Sequence, residues 1–211
     1  FLQEFFSAHP EYASNPFYVF GESYGGHYAP AVAHRVWQGN RDGDAASINI
    51  KGMGIGNGLT SPAIQYSFYT KMAVNNPYGV KAVTDEQAVL MRGYTPSCVK
   101  LIEGCQHIPE MCETARTFCD EHIVAPYILG GLNPYDIRRP CGDEDLCYDF
   151  THIEKFLRLD STRQALNVRD DSGPWESCSM KVNADFSGDW MREFDGLVGP
   201  MLEDGLSVLI Y

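Results

Sequence analysis

The stretch Phe17-Tyr-Val-Phe-Gly-Glu-Ser-Tyr-Gly-Gly-His-Tyr28 decides the fold of this chain. Its first four residues are aromatic or β-branched and predict a buried strand. The strand leads into Gly21-Glu-Ser-Tyr-Gly25, which has the form G-x-S-x-G. The residues after it, with Val32 and Val36 at helical spacing, predict a helix. A strand, a tight turn and a helix around this motif indicate a nucleophile elbow.

A nucleophile elbow gives each of its residues a chemical task. Ser23 is the candidate nucleophile, because the sharp turn exposes a hydroxyl that a neighbouring base must activate. The backbone N–H of Tyr24 is a candidate oxyanion-hole donor, and the start of the helix adds a partial positive charge there. The alternative is an ordinary glycine-rich turn, since a bare G-x-S-x-G match is common.

The residues around the motif predict an α/β unit. Residues 1–14 predict a surface helix, and the helix after the motif is expected to run from about Tyr24 to Trp37. Gly39 to Ser47 is polar and predicts a loop, and Ile48 to Ile55 predicts the next strand. Two strands joined by a helix are expected to be parallel.

The pattern changes after this unit. Helical segments, Pro, Gly and Cys dominate from Leu59 to about Ser187, including a predicted helix over residues 153–166. Residues 189–203 then predict interrupted helix, and Leu206 to Tyr211 predicts a buried strand. We therefore expect a helical insertion between two parts of one α/β domain.

Composition narrows the class of protein. The chain has 211 residues, of which 44% are hydrophobic and 21% charged, as is typical of a globular domain. Its net charge of −12 disfavours nucleic acid and anionic membranes as partners. No apolar run is long enough to predict a membrane span.

The seven cysteines indicate an oxidising compartment. There is no C-x-x-C, which argues against a zinc site and against a redox motif. Four of the cysteines recur every seven residues, and in one continuous helix such neighbours lie roughly 10 Å apart, beyond disulfide reach. A chain reversal at Pro109 instead predicts a helical hairpin with nested pairs Cys98–Cys119 and Cys105–Cys112. A third bridge, Cys141–Cys147, is expected to close a short acidic loop.

Several motifs together resemble the serine carboxypeptidases. They are Gly21-Glu-Ser-Tyr-Gly-Gly-His-Tyr28, Ile55-Gly-Asn-Gly-Leu-Thr60, Asn133-Pro-Tyr-Asp-Ile-Arg138, the cysteine ladder and Gly188-Asp-Trp190. The resemblance covers essentially the whole chain. It implies an α/β-hydrolase fold, a mostly parallel sheet with flanking helices, carrying a helical, disulfide-bonded cap insertion. The implied boundaries are 1–58 for the hydrolase core, 59–186 for the cap and 187–211 for the return to the core.

The activity that the resemblance implies is removal of C-terminal residues from peptides and proteins through an acyl-enzyme at acidic pH. It implies no cofactor and a vacuolar, lysosomal or secreted location. The family's glutamate at the position of Glu22 hydrogen-bonds the terminal carboxylate of the substrate. Two carboxyls in contact share a proton, which raises an apparent pKa and explains a preference for acidic pH. A solvated glutamate in a turn is the alternative for Glu22.

The resemblance also assigns a binding site. The residues that match the family's subsite for the penultimate side chain are Leu59, Tyr66, Tyr69 and Trp190, with Asp120, Val124 and the Tyr24 ring. Tyr135 and Tyr148 match positions near the subsite for the terminal residue. The alternative for the apolar members is ordinary packing in the core.

Other parts of the family's site have no match in this sequence. The family's catalytic aspartate and histidine are expected beyond Tyr211, and the second oxyanion donor upstream, so residues 1–211 alone are expected to form a partial, inactive domain. Cys178 is expected to pair with a cysteine of that upstream segment. His27 is an alternative general base, one helical turn after Ser23.

Two other functions stay open at this stage. One is an acyltransferase related to the carboxypeptidases, although such relatives usually carry aspartate at the position of Glu22. The other is a non-catalytic family member that binds or stabilises a partner.

Overall fold

The computed structural model describes residues 1–44, 46–144 and 146–211. The elements in chain order are α1 Leu2–Ala8, β1 Phe17–Glu22, α2 Gly25–Asp42, β2 Ile50–Gly56, α3 Pro62–Val74, α4 Asp85–Cys105, α5 Met111–Cys119, α6 Ala125–Leu129, β3 Leu132–Asn133, β4 Asp136–Pro140, α7 Thr151–Arg158, α8 Asp160–Ala165, α9 Met180–Asp185, α10 Val198–Glu203 and β5 Ser207–Ile210. Short 3₁₀ turns occupy Pro10–Tyr12 and Asp195–Leu197, and a π-helical turn, Asp120–Val124, joins α5 to α6.

A three-stranded parallel sheet forms the α/β part, in the order β1-β2-β5 with β2 central. The β1–α2–β2 unit is parallel, as its pattern predicted. One face of the sheet packs on α2 and α10, where Ala33, Met53, Ile55 and Met201 are almost fully buried. β1, the strand that ends at the elbow, packs against this cluster through Phe17 and Val19.

A second cluster of buried residues lies in the helical part of the chain. Its fully buried members include Met91, Ile102, Ile123 and Met191, from α4, the π-helical turn and the segment after α9. The buried residues of the α/β cluster come from residues 29–55 and from Met201, and those of the helical cluster come from residues 66–191 between them. The proposed boundaries at residues 58/59 and 186/187 remain a prediction.

The hairpin of α4 and α5 has the disulfides that the cysteine spacing predicted. Cys98 is joined to Cys119 and Cys105 to Cys112, with Cα–Cα distances of 5.2 and 4.7 Å. All four cysteines are fully buried in the helical cluster. A third disulfide joins Cys141 to Cys147. Thr84 begins α4 with a capping box, accepting from the Gln87 N–H while the Gln87 side chain accepts from Thr84.

The prediction that the first and last strands are buried is wrong. Tyr18 and Phe20 of β1 are 50% and 59% exposed, and Leu209 and Ile210 of β5 are 53% and 71% exposed. Side chains alternate between the two faces of a strand, and within the described residues only one face of this sheet is packed on helices. β5 also lies at an edge of the sheet, so its side chains lack neighbours on one side.

Several predicted element boundaries are corrected by the structure. The helix over residues 1–14 ends at Ala8, while α2 continues to Asp42 and takes in part of the predicted loop 39–47. The strand expected from Ile48 begins at Ile50. Residues 153–166 fall in two helices that are separated at Leu159, whose extended backbone interrupts the helix, and residues 189–194 are not helical.

No helix within the described residues is both long enough and apolar enough to cross a membrane.

Candidate active site

Ser23 stands at the sharp turn between β1 and α2, with a left-handed backbone of φ 57°. A serine rarely adopts this conformation, because its Cβ crowds the backbone there. The turn is held by hydrogen bonds from the Ser23 N–H to the Gly56 carbonyl, and from the Gly26 and Leu59 N–H groups to the Ser23 carbonyl, all at 3.0 Å. Strain of this kind clusters at functional sites, and here it leaves the Ser23 side chain exposed.

Close backbone approach explains two of the glycines around Ser23. A Cβ on Gly21 would lie 2.6 Å from the Gly25 carbonyl oxygen, and a Cβ on Gly26 would lie 2.5 Å from the Leu59 carbonyl oxygen. A Cβ on Gly25 would meet nothing within 4 Å. The tight approach of α2 to the chain after β2 therefore depends on Gly26, a position that the sequence analysis did not single out.

The start of α2 leaves a donor available beside Ser23. The helix begins at Gly25, and the N-cap Tyr24 makes no side-chain capping bond. The N–H of Tyr24 has no backbone acceptor among the described residues. Unpaired N–H groups and a partial positive charge at a helix start favour a negative charge nearby.

The Tyr24 side chain connects the elbow to the segment that follows α9. Its hydroxyl donates to the Asp189 carboxylate at 2.5 Å, and its ring centroid lies 4.9 Å from that of Phe186 and 5.3 Å from that of Trp190. Burial, followed by the hydrogen bond to Asp189, raises the pKa of the Tyr24 phenol above its usual range. Tyr24 therefore stays neutral, is hydrogen-bonded to Asp189 and packs against Trp190.

Trp190 contacts both Tyr24 and a buried polar cluster, which consists of Tyr66, Asp120 and Arg116. Its indole N–H donates to the Tyr66 hydroxyl at 3.3 Å, and Tyr66 donates to the Asp120 carboxylate at 2.8 Å. The Arg116 guanidinium lies 3.5 Å from the other Asp120 oxygen and 4.4 Å from the Trp190 ring centroid. Burial raises the pKa of Asp120, and burial with the Asp120 charge raises the pKa of Tyr66.

Tyr69 borders the same polar cluster, and Leu59 and Val124 are partly buried against the hydrophobic core that includes Tyr66. The Tyr69 ring meets that of Tyr66 edge to face at 5.1 Å, and burial raises the pKa of its phenol. The Tyr127 hydroxyl donates to the Tyr69 carbonyl. The structure thus places Tyr66, Tyr69 and Asp120 together, and Tyr66 contacts Trp190.

Tyr135 and Tyr148 form a separate pair. Their ring centroids are 6.0 Å apart, and the side chains are 55% and 39% exposed. None of the described aromatic contacts or hydrogen bonds links this pair to the elbow. Tyr135 lies in the β3–β4 turn, where its N–H donates to the Asn133 side chain.

Glu22 is the last residue of β1 and is exposed. It pairs with Gly56, and the Tyr211 ring covers Gly56 so closely that a Cβ there would lie 2.9 Å from it. Glu22 therefore precedes Ser23 at the carboxyl end of the sheet, where ligands of parallel α/β sheets bind.

The ring of His27 turns to two backbone carbonyl oxygens. Its side chain is 1% exposed, with Nδ1 2.5 Å from the Leu59 oxygen and Nε2 3.2 Å from the Asp189 oxygen. Both ring nitrogens are therefore engaged away from the Ser23 hydroxyl. This geometry favours the structural role of His27 over that of a general base.

Sequence reasoning missed three residues that organise the site: Gly26, Asp189 and Arg116. Asp189 belongs to the motif Gly188-Asp-Trp190. Its hydrogen bond to Tyr24, however, joins residues 165 positions apart, so no local sequence pattern indicates it. Arg116 stands four residues before Asp120, a spacing that places both on one helix face and could have indicated the ion pair. In the parts of the chain that the structure describes, no group of three or more His, Cys, Asp or Glu could hold a metal ion.

Comparison with known proteins adds to this geometry. The family model described as serine carboxypeptidase matches residues 1–211. A "serine carboxypeptidase-like" protein of Oryza sativa subsp. japonica is 41% identical over 213 residues, which are 100% of this chain and 48% of that protein. Carboxypeptidase Y of Schizosaccharomyces pombe is 40% identical over 228 residues, again 100% of this chain and 22% of the relative.

A solved structure shares the fold. The crystal structure of Kex1(delta)p, described as a prohormone-processing carboxypeptidase from Saccharomyces cerevisiae, superposes with a TM-score of 0.71 at 20% identity, over 100% of this chain and 46% of that one. The chain thus spans less than half the length of the relatives it matches.

Proposed function

The chain belongs to the serine carboxypeptidase family and has the α/β-hydrolase fold with a helical, disulfide-bonded insertion, and from this we propose that the full-length protein is a serine-type carboxypeptidase. The observation that carries the proposal is the strained Ser23 at the end of β1, φ 57°, next to an N–H of Tyr24 without a backbone acceptor. An exposed hydroxyl beside an oxyanion donor is the arrangement that acyl transfer requires.

In this proposal the Ser23 hydroxyl attacks the carbonyl of the C-terminal peptide bond while the general base takes its proton. The C–N bond breaks, and the terminal amino acid leaves with that proton on its amine. Water then hydrolyses the acyl-enzyme and regenerates Ser23. The N–H of Tyr24 stabilises the oxyanion. The general base and its aspartate come from outside residues 1–211, as the resemblance implies, because both ring nitrogens of His27 are engaged elsewhere. We accordingly expect residues 1–211 alone to be inactive.

The substrate is proposed to be a peptide or protein with a free C-terminus. Glu22 holds the terminal carboxylate by sharing a proton with it, which is consistent with its exposed position beside Ser23. The cluster of Leu59, Tyr66, Tyr69 and Trp190 receives the penultimate side chain, and Tyr135 and Tyr148 lie near the terminal residue. A glutamate at position 22 supports a peptidase over an acyltransferase.

The compartment is proposed to be the vacuole, the lysosome or the cell exterior. Three disulfides, two of them fully buried, support folding in an oxidising environment. Cys178 is exposed and outside these three pairs, and we propose that in the full-length protein it pairs with a segment upstream of Phe1.

The test is active-site labelling of the full-length protein. A fluorophosphonate probe should label Ser23, and Ser23→Ala should abolish labelling and lower kcat on a blocked dipeptide by roughly 10⁵–10⁶-fold. The control Ser14→Ala removes an exposed hydroxyl before β1 and should change neither. Labelling that persists in the Ser23→Ala variant would overturn the assignment.

A further inference from the structure

A carboxylate borders the aromatic residues that are proposed to receive the penultimate side chain. The rings of Tyr66 and Tyr69 meet edge to face, and the Tyr66 hydroxyl donates to one oxygen of Asp120 at 2.8 Å. The Asp120 side chain keeps 39% of its surface exposed, so solvent or a ligand can reach it. A partly desolvated carboxylate attracts a cation more strongly than a carboxylate in bulk water does. By itself, Asp120 would therefore favour a positively charged penultimate side chain.

The guanidinium of Arg116 already places a cation beside this carboxylate. Arg116 stands one helical turn before Asp120, and its Nε lies 3.5 Å from the second Asp120 oxygen. The Arg116 side chain is only 15% exposed. Burial raises the pKa of Asp120, and the nearby Arg116 charge opposes that rise. The two side chains therefore compensate each other's charge inside the proposed subsite.

Four further contacts hold the Arg116 guanidinium in this position. Nη1 donates to the Asn183 carbonyl at 2.9 Å and to the Ser187 hydroxyl at 3.0 Å, and Nη2 donates to the side-chain oxygen of Asn183 at 2.6 Å. The Cζ atom lies 4.4 Å from the centroid of the Trp190 ring, within the range of a cation–π interaction. A cation from a substrate could displace this guanidinium only by breaking these contacts, because they use most of its donors.

We propose that Arg116 is a specificity-determining residue: as a built-in counter-ion of Asp120, it makes the penultimate subsite favour uncharged side chains over arginine and lysine. The inference rests on the proposed function, because it assigns a selectivity to a subsite of that function. A cationic side chain would lose water and meet the Arg116 charge without gaining an unpaired carboxylate. An uncharged side chain would pack against the rings of Trp190 and Tyr66 without that penalty.

The other charged groups in this part of the molecule have different partners. The Asp189 carboxylate accepts from the Tyr24 hydroxyl, and Arg192 donates to two backbone carbonyls. Among the ion pairs of the described residues, the partner of Asp120 is Arg116. Loss of Arg116 should therefore leave Asp120 uncompensated and open to a cation from the substrate.

The first test compares two substrates of the full-length protein that differ in charge and scarcely in shape. They are blocked dipeptides with citrulline or arginine at the penultimate position and the same C-terminal residue. At one pH, we expect kcat/KM to be at least about tenfold higher for the citrulline substrate. Equal values for the two substrates would overturn the inference. Because this comparison needs no variant, it holds even if substitutions at Arg116 prevent folding.

The second test follows the ratio of kcat/KM for the citrulline substrate to that for the arginine substrate. Arg116→Met removes the charge from an unbranched side chain, so the ratio should fall about tenfold or more as the substrate guanidinium pairs with Asp120. Adding Asp120→Asn to Arg116→Met removes that carboxylate and should restore the ratio. A merely structural role would lower kcat/KM for both substrates together, so an unchanged ratio in Arg116→Met would sink the proposal.

The matched control is Arg192→Met. It also removes a guanidinium, but one that donates to the Cys105 and Gln106 carbonyls and to no carboxylate among the described contacts. This change should leave the substrate ratio as it is in the wild type, even if it lowers stability. A fall as large as that in Arg116→Met would show that the effect does not depend on the ion pair, and would overturn the assignment.

Asp120→Asn alone gives an independent check, because it leaves the Arg116 charge without its counter-ion. The preference for glutamate over glutamine at the penultimate position should then rise by about tenfold. Both side chains have nearly the same shape, so the comparison reports charge. An unchanged preference would contradict the proposed charge balance.

The two proposals can fail separately. Fluorophosphonate labelling of Ser23 tests the proposed function without reference to the penultimate side chain. If Ser23 is labelled and the substrate ratio is unchanged in Arg116→Met, the proposed function stands and the role of Arg116 falls. If Ser23 is not labelled, both proposals fall, because the selectivity is assigned to a site of that function.

Discussion

Single residues at this site combine strain, exposure and unpaired polar groups in a small volume. Ser23 adopts a left-handed backbone, Tyr24 presents an N–H without a backbone acceptor, and Glu22 is an exposed carboxylate next to both. A negative charge beside a developing oxyanion is unfavourable. The position of Glu22 is therefore explained more readily by a ligand that shares a proton with it.

Glu22→Gln in the full-length protein should separate carboxylate recognition from acyl transfer. Because glutamine cannot share an ionisable proton with the terminal carboxylate, kcat/KM for peptides should fall about tenfold to a hundredfold at acidic pH and its pH profile should shift. Hydrolysis of a C-terminal ester or amide should be affected much less. The matched control, Glu203→Gln, alters an exposed carboxylate at the end of α10. An unchanged peptide pH profile would show that Glu22 does not contact the carboxylate.

Burial of Asp120 should make the free energy of unfolding fall as the pH rises. Burial raises its pKa in the folded state, so the folded protein holds this proton more tightly than the unfolded chain. The resulting stabilisation is complete below the unfolded value of about 3.9 and is lost as the pH rises through the folded value. The free energy of unfolding, measured in urea, should therefore fall with rising pH more steeply in the wild type than in Asp120→Asn.

The control for this experiment is Asp136, a carboxylate whose pKa is shifted in the opposite direction. The Arg138 guanidinium lowers the pKa of Asp136, so its stabilising contribution is present above the unfolded value and is lost as the pH falls. Asp136→Asn should therefore remove a pH dependence of opposite sign. Equal slopes for the wild type and Asp120→Asn would mean that Asp120 is not desolvated in the folded protein.

At the scale of elements, the site depends on how closely α2 approaches the chain after β2. Gly26 lies on the first turn of α2, directly against Leu59. The same contact allows the Leu59 N–H to reach the Ser23 carbonyl. The elbow is therefore shaped by packing between two elements as well as by its own sequence.

Gly26→Ala should destabilise the protein by about 1–3 kcal/mol, because a Cβ there would meet backbone atoms that cannot move aside. Gly25→Ala, one residue earlier, is the matched control. A Cβ on Gly25 meets nothing within 4 Å, so this change should be neutral or stabilise the helix by up to about 1 kcal/mol. Thermal and urea unfolding of the two variants measures the difference. Equal effects would contradict the close packing.

At the scale of the whole molecule, the sheet has one packed face and one open face within the described residues. Phe20, Gly54 and Leu209 form a row across the three strands on the open face, and the Phe20 ring lies over Gly54. Phe20 and Leu209 are more than half exposed. Apolar groups on an unpaired edge strand favour association between chains.

Residues 1–211, produced alone, should therefore self-associate in a concentration-dependent way that sedimentation velocity can measure. Leu209→Lys should reduce this association, because it places a charge on the edge strand within the open face. Leu166→Lys is the matched control, since Leu166 is 60% exposed but caps α8 and belongs to no strand of the sheet. If both variants reduce association equally, the open face is not its cause.

The sequence by itself determined the elbow, the β1–α2–β2 unit and the cysteine pairing. Each of these is encoded locally: the strand, turn and helix around Ser23 are contiguous, and the four-cysteine ladder admits a nested hairpin once the chain reverses near Pro109. The motifs also sufficed to indicate the family that the whole chain matches.

Only the tertiary structure decided which groups meet at the site and which faces are packed. Tyr24 and His27 both contact Asp189, which lies more than 160 residues away, and no periodicity in the sequence records such a contact. The burial of Phe20 and Leu209 was predicted wrongly for the same reason, because an apolar side chain indicates a tendency to be covered and not whether a neighbour covers it. Burial and hydrogen-bond pairing are properties of the assembled fold, since both depend on residues that are brought together from distant parts of the chain.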